Sequence, residues 1–215
     1  MYYKRFIEPT LAVVIGIAIV ACSIAIADPT AEKPAAQPQL KLPPGWTAAD
    51  MQACMLAGTP GKMHEYLAKG VGVWQGKSTM WMFGGSEPMN SECTSTVTSV
   101  MDGRYTRCEV AGEMPGMGPF NGFGLYGFDN VSQKFVSSWI DNHNTGIMAG
   151  TGQLSADGKT LTWTYNHTCP ITQKPAILRE VETLTSAGTK TLEIFATDPK
   201  TGKEFQTMKI EFTRK

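Results

Sequence analysis

Thr160-Leu161-Thr162-Trp163-Thr164-Tyr165-Asn166-His167 alternates without a break. Leu161, Trp163, Tyr165 and His167 fall on one face, and Thr160, Thr162, Thr164 and Asn166 on the other. Period two marks a half-buried strand, because successive side chains of an extended chain point to opposite faces. Asp157-Gly158 precedes the run and Cys169-Pro170 follows it, so a turn bounds each end. Moving outward, Phe135, Ser137, Trp139 and Asp141 share one face of another run. Met208, Ile210 and Phe212 oppose Thr207, Lys209 and Glu211 in a third. Turn chemistry recurs at Gly84-Gly85, Asp102-Gly103, Asp129-Asn130, Asn142 to Asn144, Gly188, and Asp198-Pro199 with Gly202. About ten runs of seven to thirteen residues lie between these points. Many evenly spaced antiparallel strands joined by short turns predict an all-β fold, an antiparallel up-and-down barrel of about ten strands, with a sandwich as the other arrangement. Closure of such a barrel removes the sheet edges, and about 8–10 strands can enclose one small ligand.

Before Gly70 the pattern is helical. Thr47 begins a short helix with Asp50 three residues on as a capping-box acid, and Gly58 ends it. Thr59 caps a second helix with Pro60 at its first position, and Gly70 closes it. The expectation is a short two-helix N-terminal cap on the barrel, with residues 47–215 as one domain.

Ahead of the domain, Lys4 and Arg5 precede an uncharged apolar run from Leu11 to Ala27, ending Ala25-Ile26-Ala27. A basic start, an apolar centre and an A-x-A end describe a secretory signal peptide over residues 1–27. Two other readings stand beside it. Ile19-Val20-Ala21-Cys22 resembles a lipobox, in which Cys22 is lipidated, and an uncleaved segment would act as a membrane anchor. All three place the domain outside the cytoplasm, periplasmic or secreted, with the membrane reached only through this N-terminal segment. Residues 28–46 hold five prolines and read as an extended linker.

The 215 residues carry 19 basic and 19 acidic side chains, only 18% charged against 42% apolar. That balance excludes a disordered chain and argues against a nucleic-acid partner, which calls for a basic excess. Export makes disulfides plausible among Cys54, Cys93, Cys108 and Cys169. Cys93 and Cys108 flank the Asp102-Gly103 turn. A turn centred there sets Val97 opposite Cys108 and leaves Cys93 four residues off, about 13 Å at ~3.3 Å per residue. A disulfide needs Cα atoms within about 7 Å, so this pair requires a bulge or a wider loop. The connectivity stays open.

The run Gly112-Glu113-Met114-Pro115, then Phe120-Asn121-Gly122, Gly127-Phe128-Asp129, Trp139-Ile140-Asp141, the turn Asp157 to Leu161, Arg179-Glu180-Val181, and the ending Gly202 to Lys215 resemble, in this order, the bacterial family catalogued as domain of unknown function 1579. The resemblance covers roughly Met63 to Lys215. It implies a calycin-like barrel, related in shape to lipocalins and fatty-acid-binding proteins, and no established activity. The family's Gly-Tyr-Asp has Phe128 in the middle here, and the four cysteines are not part of the family pattern.

Candidate chemistry is sparse. Gly122-x-Gly124-x-x-Gly127 spells the dinucleotide fingerprint, but it sits inside an aromatic strand with no helix to receive a pyrophosphate. The expectation is a barrel strand using glycine for curvature. His143, His167 and Asp141 near strand ends offer a haem or metal site at one mouth, against a bland reading of two solvent-facing turn histidines. Met80 and Met82 share a strand face and read as lining rather than a copper site. Glu180 and Glu182 share a face, either as a solvated surface or as one buried acid paired with Arg179. Ser137 and Ser138 lack a nucleophile elbow, so no motif supports catalysis. The reading that remains is an exported protein holding a small apolar or amphipathic ligand inside a barrel. Its expected lining is Trp81, Trp139, Trp163 and Tyr165, with His167 and Arg179 as polar anchors. No cofactor is required. The alternatives are a structural or interaction module of the cell envelope with a filled barrel, and a haem or metal binder.

Overall fold

The computed structural model describes residues 42–215. The signal-peptide reading of residues 1–27 and the linker up to residue 41 lie outside the described residues. Thr47 caps α1 (Ala48–Ala57) through a reciprocal capping box: Asp50 N–H donates to Thr47 Oγ1 at 3.2 Å, and Thr47 N–H donates to Asp50 Oδ2 at 2.7 Å. α2 (Lys62–Ala68) starts two residues later than the Thr59-Pro60 pair predicts. Thr59 instead donates its hydroxyl to Met55 O at 2.8 Å and closes α1. Gly61 is the cap residue of α2, and its N–H is taken by His64 Nδ1 at 3.0 Å. The His64 ring is buried edge-on against Phe128, so the same side chain caps the helix and seats it on the barrel.

Ten strands follow: β1 (Gly72–Met80), β2 (Met89–Val100), β3 (Tyr105–Met114), β4 (Gly118–Asp129), β5 (Lys134–Asp141), β6 (Met148–Leu154), β7 (Thr160–Thr168), β8 (Pro175–Leu184), β9 (Thr189–Thr197) and β10 (Glu204–Arg214). Each pairs antiparallel with its neighbours in sequence, and β1 pairs with β10 from Trp74↔Arg214 to Met80↔Met208. The sheet is therefore a closed up-and-down barrel with no free edge. Tight turns set the register where the sequence places them. At the Asp102-Gly103 turn, Met101, Asp102 and Gly103 all have positive φ, and Val97 stands opposite Cys108.

α2 stoppers one end. Met63, Tyr66 and Leu67 pack on a buried cluster of Phe135, Leu161, Trp163 and Tyr165. Strands β2, β4, β6, β8 and β10 finish at this end. α1 is tied to the same end through its last carbonyls: Arg104 Nε donates to Gly58 O at 3.0 Å and Asn130 Nδ2 to Leu56 O at 3.2 Å. A second cluster, Trp74, Cys93, Val97, Ile210 and Phe212, fills the barrel across the β1–β10 seam. Trp74 is fully buried; its indole N–H donates to Gly70 O at 2.8 Å, and both Lys190 and Arg214 lie over its ring. Arg214 also donates to the carbonyls of Lys69, Val71 and Ala187, which latches the last strand to the end of α2.

Candidate ligand cavity

Ten inward faces need more volume than their side chains supply. The inward positions of β4 and β6 include Gly122, Gly124, Gly150 and Gly152, where a Cβ would run into the rings of Trp139, Tyr165 or Trp163. These glycines let aromatic side chains from adjacent strands lie flat against the wall instead of crossing the barrel. The residual space is a cavity of about 900 Å³. That lies near the top of the ~300–1,000 Å³ range of small-molecule sites. At ~30 Å³ of liquid per water it equals roughly thirty waters. The barrel is therefore not filled by its own side chains. The wall is mostly apolar: Trp139, Trp163, Leu161, Leu178, Leu192, Ile194, Ile210 and Phe212 contribute to it. Away from α2 the lining runs out to the exposed loop residues Asn144, Thr145, Gly146, Ile147 and Pro170, so the cavity opens at the end opposite the helices.

The inward ionisable groups away from the mouth lie on β8 and β9. On β8, Leu178, Glu180, Glu182 and Leu184 all face in. Glu182 accepts from Lys190 Nζ of β9 at 3.2 Å. Lys190 is buried, with its ammonium over the rings of both Trp74 and Phe212. Its charge is thus matched by one carboxylate and two π-faces. Glu180 stands between Trp163 and Ile194 in register. No described residue hydrogen-bonds its carboxyl. Removal from bulk solvent, reinforced by the neighbouring Glu182 and opposed by Lys190, pushes Glu180 up to about 8, so it holds its proton at neutral pH. Burial also raises Tyr126 and Tyr165 well above the ordinary phenol range. Ser137 Oγ, Tyr165 Oη and His167 Nδ1 are buried without a hydrogen-bond partner among the described residues. Such orphaned groups cost on the order of 1–3 kcal/mol each and mark places where a ligand or water completes the network.

Four of the six predicted lining residues are in the wall. Trp139, Trp163, Tyr165 and His167 all face the cavity, and Trp139 donates its indole N–H to Asp141 at 3.1 Å. Trp81 does not line it. It follows Met80, the last inward residue of β1, and therefore takes outward parity. Met82 likewise lies past the strand end and is exposed, so it shares no face with Met80. Arg179 is also outside. It alternates with the inward Leu178 and Glu180, stacks on Phe195 at 4.0 Å, and forms a two-pronged pair with Glu204 at 2.8 and 3.1 Å. The buried acid of this strand is consequently not its partner.

The mouth histidines separate. His143 stacks on Phe120 and its backbone N–H donates to Asp141, whereas His167 points into the barrel rather than to solvent. Among the described residues no three His, Cys, Asp or Glu side chains are grouped to hold a metal. The predicted disulfides are absent: Cys54, Cys93, Cys108 and Cys169 are free thiols. The register explains the inner pair. Cys93 stands opposite Gly112 and Cys108 opposite Val97, so the four-residue offset keeps their backbones too far apart. Burial pushes the Cys93 thiol up to about 11 and raises Cys108 as well, leaving both protonated. Lys190 and Tyr126 were not singled out by the sequence. Only parity within their strands, read together with the closed pairing order, marks them as inward.

The profile of a family described as "Protein of unknown function (DUF1579)" matches residues 59–214. No curated protein matches the chain by sequence. Among solved structures, the S-type phycobiliprotein lyase CPES from Guillardia theta is similar, with a TM-score of 0.51 at 10% identity, over 72% of this chain and 93% of that one. At that identity the likeness is one of fold, and it is consistent with a calycin-like, lipocalin-type barrel.

Proposed function

Given that the chain belongs to the DUF1579 family, whose function is unknown, we propose that it binds a small, largely apolar molecule non-covalently inside the barrel. The observation that carries this reading is the cavity of about 900 Å³, apolar on most of its wall, with unpartnered polar groups collected on one side. An apolar wall supplies affinity at roughly 25 cal/mol per Å² removed from water, and a few fixed polar groups orient the ligand. The glycine-backed aromatic wall is preformed, so little ordering opposes binding. The leader-like residues 1–27 support a site of action outside the cytoplasm. Carriage or sequestration of a poorly soluble molecule in the envelope fits both features.

The test uses protein purified from its own source. A native mass spectrum, set beside a denaturing one, is expected to show a discrete adduct that is lost on denaturation. The denaturing mass also reports whether residues 1–27 are removed. In parallel, the neutral probe N-phenyl-1-naphthylamine is titrated into ligand-free protein. Saturable one-to-one fluorescence enhancement is expected, and Val110→Trp, which projects a ring into the cavity, should abolish it while the β-sheet circular dichroism stays unchanged. An apo mass together with no saturable probe binding would overturn the reading.

A further inference from the structure

The charges inside the barrel are unbalanced in one direction. Of the lining side chains that ionise as acids or strong bases, Glu113 is exposed at the rim and Asp141 is held there by Trp139, His143 and Asn144, which leaves Glu180, Glu182 and Lys190 inside. Two of these three are carboxylates. Lys190 is the sole inward cation among the described lining residues, and Glu182 already holds it at 3.2 Å. Arg179, the other basic side chain on this side of the sheet, points outward to Glu204. An anionic amphiphile entering this cavity would therefore find no free Lys or Arg and would lie beside the Glu182 carboxylate. A cation would find the reverse. Glu180 has no ion-pair or hydrogen-bond partner among the described residues, stands opposite Trp163 in register, and looks into open space. The electron-rich faces of Trp163 and Tyr165 on the neighbouring strand favour a positive charge at the same level.

We propose that the cavity is built for a cationic amphiphile, an apolar molecule bearing one protonated amine, and that Glu180 is the carboxylate that receives the amine. This rests on the reading of the barrel as a ligand carrier and adds the ligand's charge to it. A long-chain carboxylate is disfavoured, because no free Lys or Arg faces the cavity among the described residues.

Binding would be linked to a proton. In the free protein Glu180 is held neutral by its burial and by Glu182 on the same strand, partly offset by Lys190 on β9. The other titratable groups turned into the cavity from neighbouring strands are Tyr165 and His167 on β7, Tyr126 on β4 and Cys108 on β3. Tyr165, Tyr126 and Cys108 are raised by burial and neutral in this range. An ammonium group arriving from solvent at pH 7 already carries its proton. The Glu180 proton therefore leaves to buffer as the ion pair forms. One proton is released per amine bound, and affinity for the amine rises about tenfold per pH unit until Glu180 is ionised in the free protein.

Three probes with the same chain separate the possibilities: dodecylamine, dodecanol and dodecanoate, each displacing N-phenyl-1-naphthylamine at pH 7. The expected order is amine tightest, alcohol intermediate and carboxylate weakest, with at least tenfold between amine and carboxylate. Glu180→Gln should bring amine and alcohol to within about threefold of each other while leaving dodecanol unchanged. Calorimetry in two buffers of different ionisation enthalpy should show close to one proton released per amine by the native protein and none by E180Q. If E180Q fails to fold, proton release in the unmodified protein decides the matter alone. Dodecanol bound but amine not preferred, or carboxylate bound as tightly as amine, overturns this inference and leaves the carrier reading standing. None of the three bound, and no probe bound either, overturns both.

Discussion

Glu180 also makes a prediction about the empty protein. Its carboxyl is raised from an ordinary value of 4.5 to about 8 in the folded state. Below pH 4.5 folded and unfolded chains both hold the proton, and the group contributes no difference. Between 4.5 and 8 the unfolded chain releases it and the folded chain does not, so stability falls as pH rises. Above 8 both forms are ionised and the loss is complete. At ~1.4 kcal/mol per pH unit the full loss is roughly 5 kcal/mol, an upper figure because the barrel interior can relax or admit water. Glu180→Gln keeps the shape and hydrogen-bonding capacity of the protonated acid and cannot ionise. Urea unfolding of both proteins at half-unit steps from pH 4.5 to 9 gives the stability difference directly. The unmodified protein is expected to lose several kcal/mol relative to E180Q across that window. Surface carboxylates lowered by local hydrogen bonds, such as Asp129, Asp157 and Asp198, act at the acid side and are common to both proteins. They cancel in the difference. A difference that stays flat from pH 5 to 8, or rises, would refute a neutral, desolvated Glu180.

Three further outcomes follow from contacts in the barrel. Lys190→Met strands Glu182 beside Glu180 and should cost about 3–5 kcal/mol, with much of it recovered in the Glu182→Gln double variant; a denaturant double-mutant cycle reads the coupling. Gly150→Ala places a Cβ 2.6 Å from the Tyr165 ring and 2.7 Å from Ser137 Oγ, a predicted loss of about 1–3 kcal/mol. Gly146→Ala, with nothing within 4 Å, should stay within about 0.5 kcal/mol; thermal melts of the two variants beside the unmodified protein check both values. Thiol titration without reductant should find Cys54, Cys93, Cys108 and Cys169 all reactive after unfolding, with buried Cys93 the slow member in the native protein; no reactive thiols would mean that the register around β2 and β3 is wrong.

The legible part of this fold is the part that depends on neighbours in sequence. Alternation in Thr160–His167 placed Leu161, Trp163, Tyr165 and His167 on one wall, and the structure keeps them there. The capping box at Thr47 and Asp50, and the register of Val97 against Cys108, are equally local, since a cap spans three residues and a hairpin register follows from its turn. Direction is harder to read past an element's end, or where residue type competes with alternation. Trp81 continues the β1 alternation outward, and Met82 lies two residues beyond the strand, where the pleat no longer dictates direction. Arg179 suits a polar anchor by residue type, but the strand's own alternation turns it outward and turns Glu180 inward.

Composition and periodicity thus determine about ten antiparallel strands joined by short turns and preceded by a helical segment, because each step rests on short-range geometry, whereas closure rests on β1 pairing with β10 across the length of the domain. They say nothing about the volume left inside. That depends on which inward positions from non-adjacent strands meet at one level, and on whether glycines face aromatic rings or other glycines. The same holds for the charge in the cavity. Glu182, Lys190 and Glu180 become one unit only when β8 and β9 pair in a single register around a closed barrel. Burial then converts an ordinary glutamate into a neutral acid facing the cavity, and only the tertiary structure decides that.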